Sequence, residues 1–259
     1  MNDQFNEQQK EVLQLLRLLD ENGILPYVVL TGSWAEYVYA QAGVLPGFEL
    51  TLRTIDIDFL IKNLRRPADP ISIPQIAKNN GYSISHDVMM GTTKLFSPNG
   101  LEIEFLIPQM GSGVNPVLKT NLGVNAQALR HMEDLVRHSI TAKLLGMNVQ
   151  VPCPEIYVLH KMIINNARSA TKQPKDRISI ARLLPHIDLE KTKILFDTLT
   201  KKEKARICTF MKEHGAELEE NLQIDGKIQF AQFRSLALPS DGGKNKKPNL
   251  DTPTDPDDR

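Results

Sequence analysis

The chain has 259 residues, 41% apolar and 24% charged, a length for one or two domains and a composition of ordinary globular type. Lys plus Arg and Asp plus Glu both number 31, so zero formal charge excludes a bulk basic nucleic-acid glove, though not a local basic patch. No apolar run approaches the roughly 20 residues of a bilayer span. The polar start Met1–Lys10 lacks a signal-peptide core, and Cys153 and Cys208 form no CxxC pair, which together predict a cytoplasmic protein without a zinc knuckle.

In chain order, Glu11 to Leu19 is apolar at helical spacing and ends near Asn22-Gly23. Leu25 to Leu30 reads as a short buried strand, Thr31-Gly32-Ser33 as a turn and Trp34 to Gln41 as a helix. The stretch Ala42 to Thr51 holds Gly43, Pro46 and Gly47 and reads as a loop over a pocket. Arg53 to Ile61 alternates as a strand, with Ile55, Ile57, Phe59 and Ile61 on one face and Thr54, Asp56, Asp58 and Leu60 on the other. Ile73 to Asn80 is a helix stopped by Gly81. Lys94–Phe96 and Leu101–Ile107 form a predicted hairpin around Ser97–Gly100, and His138–Leu144 with Asn148–Val151 another around Gly146.

Strand signals stop after Pro152. Glu155–Ala167, Asp176–Leu184, Glu190–Leu199 and Lys201–His214 all read as helices. Charge divides with them: residues 1–152 carry 12 basic and 15 acidic side chains, 153–236 carry 15 and 11, and 237–259 carry 4 and 5. The expectation is a mixed sheet flanked by helices over 1–152, an all-α subdomain over 153–236 and a disordered tail over 237–259, an α+β class overall.

Three features carry chemistry. Asp56 and Asp58 stand two apart in a strand and therefore share a face, roughly 7 Å apart along it. Their oxygens suit one hard cation such as Mg²⁺ or Mn²⁺; the plainer alternative is a solvent-facing strand. Gly32-Ser33 lies between an apolar strand and a helix, where backbone N–H groups can bind phosphate; Ser33 as a helix cap is the alternative. Glu102 and Glu104 share a face of a later strand, where one of them would add a third acid to a two-metal site.

The order of these pieces is more specific than any one. Val29-Leu30-Thr31-Gly32-Ser33, then Arg53-Thr54-Ile55-Asp56-Ile57-Asp58-Phe59, then Ile103-Glu104-Phe105-Leu106 resembles the nucleotidyltransferase superfamily built on the DNA polymerase β-like fold. Pro154–Lys161, followed by Arg168, Lys172, Lys175 and Asp176, resembles a bacterial branch related to the abortive-infection type IV toxin nucleotidyltransferases. The resemblance implies Asp56, Asp58 and Glu104 as catalytic metal ligands, with Glu102 the alternate third acid. It implies Gly32, Ser33, Lys161, Lys172, Lys175 and Asp176 around the nucleotide, Asp176 orienting a lysine. It further implies an NTP donor, Mg²⁺ or Mn²⁺, an acceptor hydroxyl on RNA, protein or a small molecule, and a possible cognate antitoxin.

Other residues read more plainly. The basic stretch Lys161, Arg168, Lys172, Lys175 and Arg177 reads by composition as solvated helix faces with a loop at Ser169–Pro174, and by the resemblance as triphosphate contacts at Lys161 and Lys175. His160 reads as a hydrogen-bonded core histidine, and Trp34, Tyr37 and Tyr39 as packing rather than base-stacking residues. Gly111-Ser112-Gly113 lacks the Gly-Lys-Ser/Thr ending of a P-loop. The rival functions are a catalytically inactive nucleotide-binding or protein-interaction scaffold of the same fold, and nucleic-acid binding by the more basic helical half.

Overall fold

Helix α1 (Glu7–Glu21) buries Val12, Leu15, Leu16 and Leu19 along one stripe and ends at Gly23, whose φ of 65° reverses the chain. This is a computed structural model, and it describes residues 7–49, 56–109, 111, 117–222 and 224–238. The chain next makes a 3₁₀ turn, Leu25–Tyr27, before strand β1 (Val28–Thr31). The expected strand from Leu25 is thus shortened, because Pro26 fixes its own φ and has no N–H to give a ladder. Helix α2 (Ser33–Gln41) follows after the single residue Gly32.

The central sheet grows from β1. Strand β2 (Asp56–Ile61) lies antiparallel to it, and the predicted start of β2 at Arg53 lies outside the described residues. Helix α3 (Ile73–Asn79) is capped by the Ser72 hydroxyl accepting from the Gln75 N–H. Strands β3 (Ser83–His86), β4 (Thr93–Phe96) and β5 (Glu102–Pro108) form an antiparallel run, with β5 parallel to β2 on its other edge. Strand β6 (Val117–Lys119) pairs with β7 (Asn125–Leu129), and β7 runs parallel to β5. Strands β4 and β7 share one edge of β5: β4 takes Glu102 to Glu104 and β7 takes Leu106 to Pro108.

A short helix α4 (Glu133–Arg137) leads to the hairpin β8 (Ser139–Leu144) and β9 (Met147–Pro152), as expected around Gly146. Strand β9 packs on β1. The helical half comprises α5 (Pro154–Ile164), α6 (Gln173–Leu183), α7 (Leu189–Thr198), α8 (Lys201–Glu220) and α9 (Ile224–Ala237). Helix α8 runs past the expected end at His214: Gly215 keeps helical backbone inside it, and Leu218 beyond it is buried in the core. The tail from Pro239, like Ser112 and Gly113, lies outside the described residues.

One apolar core runs from α1 and the sheet into α5–α9. The junction is specific: the Tyr39 hydroxyl donates to the Pro152 carbonyl at 2.8 Å, and the Tyr39 and Tyr157 rings meet edge to face at 5.9 Å. Trp34, Tyr37 and Tyr39 are all buried in this core, as packing residues. Among the described residues no helix is long and apolar enough to cross a membrane.

Candidate active site

The sheet register brings the sequence motifs together. Asp58 lies opposite Thr31 of β1 on one side and Glu104 of β5 on the other; Asp56 lies opposite Glu102. Paired residues across a sheet point to the same face, so four carboxylates occupy one patch at the N-terminal ends of two parallel strands. Further along, both strands turn fully apolar, and Phe59 stacks on Phe105 at 6.3 Å between centroids. Strands buried on both faces at one end and acidic on one face at the other fix where chemistry can occur.

Gly32 closes the patch. It is the N-cap of α2 at φ 67°, and a Cβ there would sit 2.8 Å from Asp58 Oδ2. Both the positive φ and the close approach require glycine. Ser33 is the exposed first residue of α2 rather than its cap. Free backbone N–H groups at this helix start therefore open beside the Asp58 carboxylate.

Burial raises the Asp58 carboxyl to about 6, and the negative Glu104 and Asp56 push the same way. Lys172 and Arg168 act on it in the opposite sense. Those two cations, from the N-cap of α6 and the turn before it, thus act on the Asp58 charge from the helical half. Lys172 and Lys175 are solvent-exposed on α6.

Lys161 has a different environment. Its ammonium is 2.9 Å from Asp176 Oδ1, 3.8 Å from Glu36 Oε1 and 4.9 Å from the centre of the Tyr157 ring. Asp176 also accepts from Arg168 Nε at 3.1 Å. The Lys161 side chain is 11% exposed and that of Asp176 3%, so this lysine is engaged with carboxylates. Asp176 thereby orients both Lys161 and Arg168. The Tyr157 hydroxyl reaches the Gly32 carbonyl at 2.8 Å and Glu36 Oε1 at 3.0 Å, and Ser179 also donates to Glu36. A buried polar network therefore ties α5 and α6 to the Gly32 turn.

Three of these residues escaped the sequence reading. Glu36 and Tyr157 sit among apolar helix positions and give no local signal. Lys94 does: it lies opposite Glu104 in the β4–β5 hairpin, and its ammonium is 2.5 Å from both Glu102 Oε1 and Glu104 Oε1. The two glutamates hold its ammonium charged well above the usual lysine range. His160 behaves as expected of a core histidine: its Nδ1 meets the His131 carbonyl at 2.9 Å, and burial lowers it to about 4.

The donor chemistry suits a divalent ion. Asp58 is a half-buried carboxylate crowded by negative neighbours, and Asp56 stands beside it on the same strand face. Among the described residues no three His, Cys, Asp or Glu side chains converge closely enough to hold an ion. Two carboxylates nonetheless meet the protein share of a Mg²⁺ shell, which waters and phosphate oxygens commonly complete.

Beyond the patch, Gly47, Phe48 and Glu49 form one wall of a cleft of about 720 Å³ against Arg177, Ile178 and Glu217. The expected loop before β2 therefore borders a cavity, and its continuation over 50–55 lies outside the described residues.

No curated protein matches the chain in sequence. Among solved structures, an antigenic nucleotidyltransferase-like protein from Paracoccidioides brasiliensis is similar at 14% identity and TM-score 0.48, covering 84% of this chain and 94% of that one. The antibiotic-resistance factor ANT(2'')-Ia is similar at 14% identity and TM-score 0.42, covering 82% and 95% respectively. A crystal structure of ANT(2'')-Ia with adenylyl-2''-tobramycin is similar at 13% identity and TM-score 0.46, covering 81% and 99%. A family model described as nucleotidyltransferase matches residues 10–203. That span holds the carboxylate patch, the Gly32 turn and the cations that act on Asp58, and with it the chain belongs to the nucleotidyltransferase family.

Proposed function

We propose that the chain transfers a nucleoside monophosphate from an NTP to an acceptor hydroxyl at the Asp56–Asp58 patch. The observation that carries this reading is the apposition of Asp58 to the Gly32 helix start, with Lys172 and Arg168 acting on the same carboxylate. An acid pair for a cation, a phosphate-binding helix start and two phosphate-neutralising cations then meet at one place.

Asp56 and Asp58 would hold the divalent ion. When bound, it would supply charge stabilisation to the phosphates and activation of the attacking oxygen. Gly32 and the first N–H groups of α2 receive phosphate oxygens, and the missing side chain at Gly32 lets the Asp58 carboxylate stand against the same turn. Ser33, exposed at the helix start, offers a hydroxyl to the same oxygens. Lys172 and Arg168 offset the charge of the triphosphate, Arg168 being oriented by Asp176, and Lys175 adds a positive charge on the same helix. Lys161 acts through Asp176 and Glu36, holding the network that fixes the Gly32 carbonyl. Catalysis of this kind is mostly positioning and charge stabilisation.

The test is transfer of labelled NMP onto mixed tRNA, protein and small hydroxylated acceptors in Mg²⁺. Wild type should label one class, and Asp58→Asn should lose about 10³-fold in rate, the scale of a lost electrostatic contribution in such sites. Unchanged labelling in the variant would overturn the mechanism. The likeness of Pro154–Asp176 to the abortive-infection branch supports a toxin role with a cognate antitoxin. Growth arrest on expression, lost with Asp58→Asn, is the result that role requires.

A further inference from the structure

Lys94 lies inside the acidic patch, and its place follows from the hairpin register. Phe96 pairs with Glu102 and Lys94 with Glu104 across the Ser97–Gly100 turn. Glu104 in turn pairs with Asp58, so Asp58, Glu104 and Lys94 form one row across β2, β5 and β4. Neighbours in such a row stand about 4.8 Å apart, and the middle residue can turn its carboxylate to either side. In this structure Glu104 turns to Lys94, whose single ammonium also takes Glu102, with each contact at 2.5 Å. All three side chains are 26–31% exposed, so the pairing is partly shielded from solvent and from screening by salt.

This engagement bears on how many ions the patch can take. A paired arrangement of two metals requires carboxylates shared between ions about 4 Å apart. Asp58 needs a companion for that role, and its register neighbour is occupied by an ammonium. The same ammonium turns the Glu104 carboxylate away from Asp58, toward β4. Asp56 and Asp58 lie on β2, on the far side of Glu104 from Lys94.

We propose that Lys94 is a positioning residue that holds Glu104, together with Glu102, as ion pairs and so limits the chain to one divalent ion before nucleotide arrives. The inference rests on the proposed metal role of Asp56 and Asp58 and goes beyond it. Lys94 would act through Glu104, without touching nucleotide or acceptor.

The experiment is a Mn²⁺ titration of the full chain without nucleotide, with free Mn²⁺ read by its electron paramagnetic resonance signal. Thermal melts would confirm that each variant folds. Wild type should bind one Mn²⁺. Lys94→Met should bind a second, or hold the first about tenfold more tightly, because a nearby positive charge is gone and Glu104 is released. Lys94→Arg should match wild type, since its charge reaches the same two carboxylates. Adding Glu104→Gln to Lys94→Met should return the count and affinity to the wild-type values, which a merely structural role for Lys94 would not produce. If Lys94→Met folds poorly, Lys94→Gln serves in its place with the same expectation. Two ions on wild type, or one ion with equal affinity on wild type and Lys94→Met, would overturn the proposal and leave the metal role of Asp56 and Asp58 standing. Binding by wild type that persists in Asp56→Asn/Asp58→Asn, or no Mn²⁺ on any variant, would overturn that metal role and this proposal with it.

Discussion

The molecule holds two clusters of carboxylates that differ in how their charge is balanced. On α2, α5 and α6, Glu36 and Asp176 are nearly inaccessible, and each has a partner: Lys161 with Arg168 for Asp176, and Tyr157 with Ser179 for Glu36. On β2 and β5, Asp58 is crowded by Glu104 and Asp56, and its carboxyl rises to about 6. Buried charge that is fully paired holds a structure in place. Half-buried charge crowded by like charge is costly, and a fold tolerates it where a cation or substrate is to be bound.

The largest effect should come from breaking the balanced cluster. Asp176→Ala leaves the Lys161 ammonium buried without its nearest carboxylate and should cost about 3–5 kcal/mol of stability, measured by urea unfolding. A loss below about 1 kcal/mol would mean the pair is more solvated than its geometry indicates.

The crowded cluster should respond in the opposite sense. Asp58 has a folded-state value of about 6 against an ordinary 3.8, so folding favours its protonated form. Wild-type stability should therefore fall as the pH rises from about 4 to about 6 and stay lower above that. In metal-free buffer at pH 7, Asp58→Asn should gain about 1–3 kcal/mol while losing transfer, and saturating Mg²⁺ should narrow the gap. A variant less stable than wild type under those conditions would show that the negative charge at Asp58 is compensated.

His160 sharpens the comparison from the helical side. Burial lowers it from 6.5 to about 4, so the unfolded chain binds its proton first as the pH falls. The contribution to stability should be complete above about pH 6.5 and should decline below it, by about 2 kcal/mol at pH 5. His160→Gln should flatten that part of the stability–pH curve. The smallest effect belongs to the link between the clusters: Tyr157→Phe removes one hydroxyl and should cost about 1 kcal/mol. If the Gly32 carbonyl depends on it, transfer should also slow by up to about tenfold, with kcat falling more than KM rises.

Much of this architecture was legible because the decisive residues carry strong local signals. Gly32 is a glycine at a strand-to-helix turn, and Asp56 and Asp58 are acids in an apolar strand, where such residues are disfavoured. The unread elements lacked those signals. Strand β7 is Asn-Ala-Gln-Ala-Leu, poor in β-formers, and is a strand because β5 and β6 supply ladders on both its edges. Strand β3 is exposed at three of its four positions and is held by β4. Lys94 was half legible: the predicted hairpin around Ser97–Gly100 set its strand beside that of Glu102 and Glu104, but those bounds place it opposite Ile103, and the observed register, one residue along, puts it opposite Glu104. Glu36 and Tyr157 were not, because their partner lies about 120 residues away in sequence and only packing brings them together.

The hydroxyl of Tyr157 on the Gly32 carbonyl has a consequence for biosynthesis. A nascent chain released as far as Pro152 already carries Asp56, Asp58, Glu104 and the Gly32 turn. It lacks the hydroxyl that steadies that turn, the cations at Arg168 and Lys172, and the aspartate that orients Arg168. The site is therefore assembled late in translation, when α5 and α6 have emerged from the ribosome, and a truncated product keeps the Lys94 pairs with Glu102 and Glu104 but carries Asp58 without the two helical-half cations that act on it.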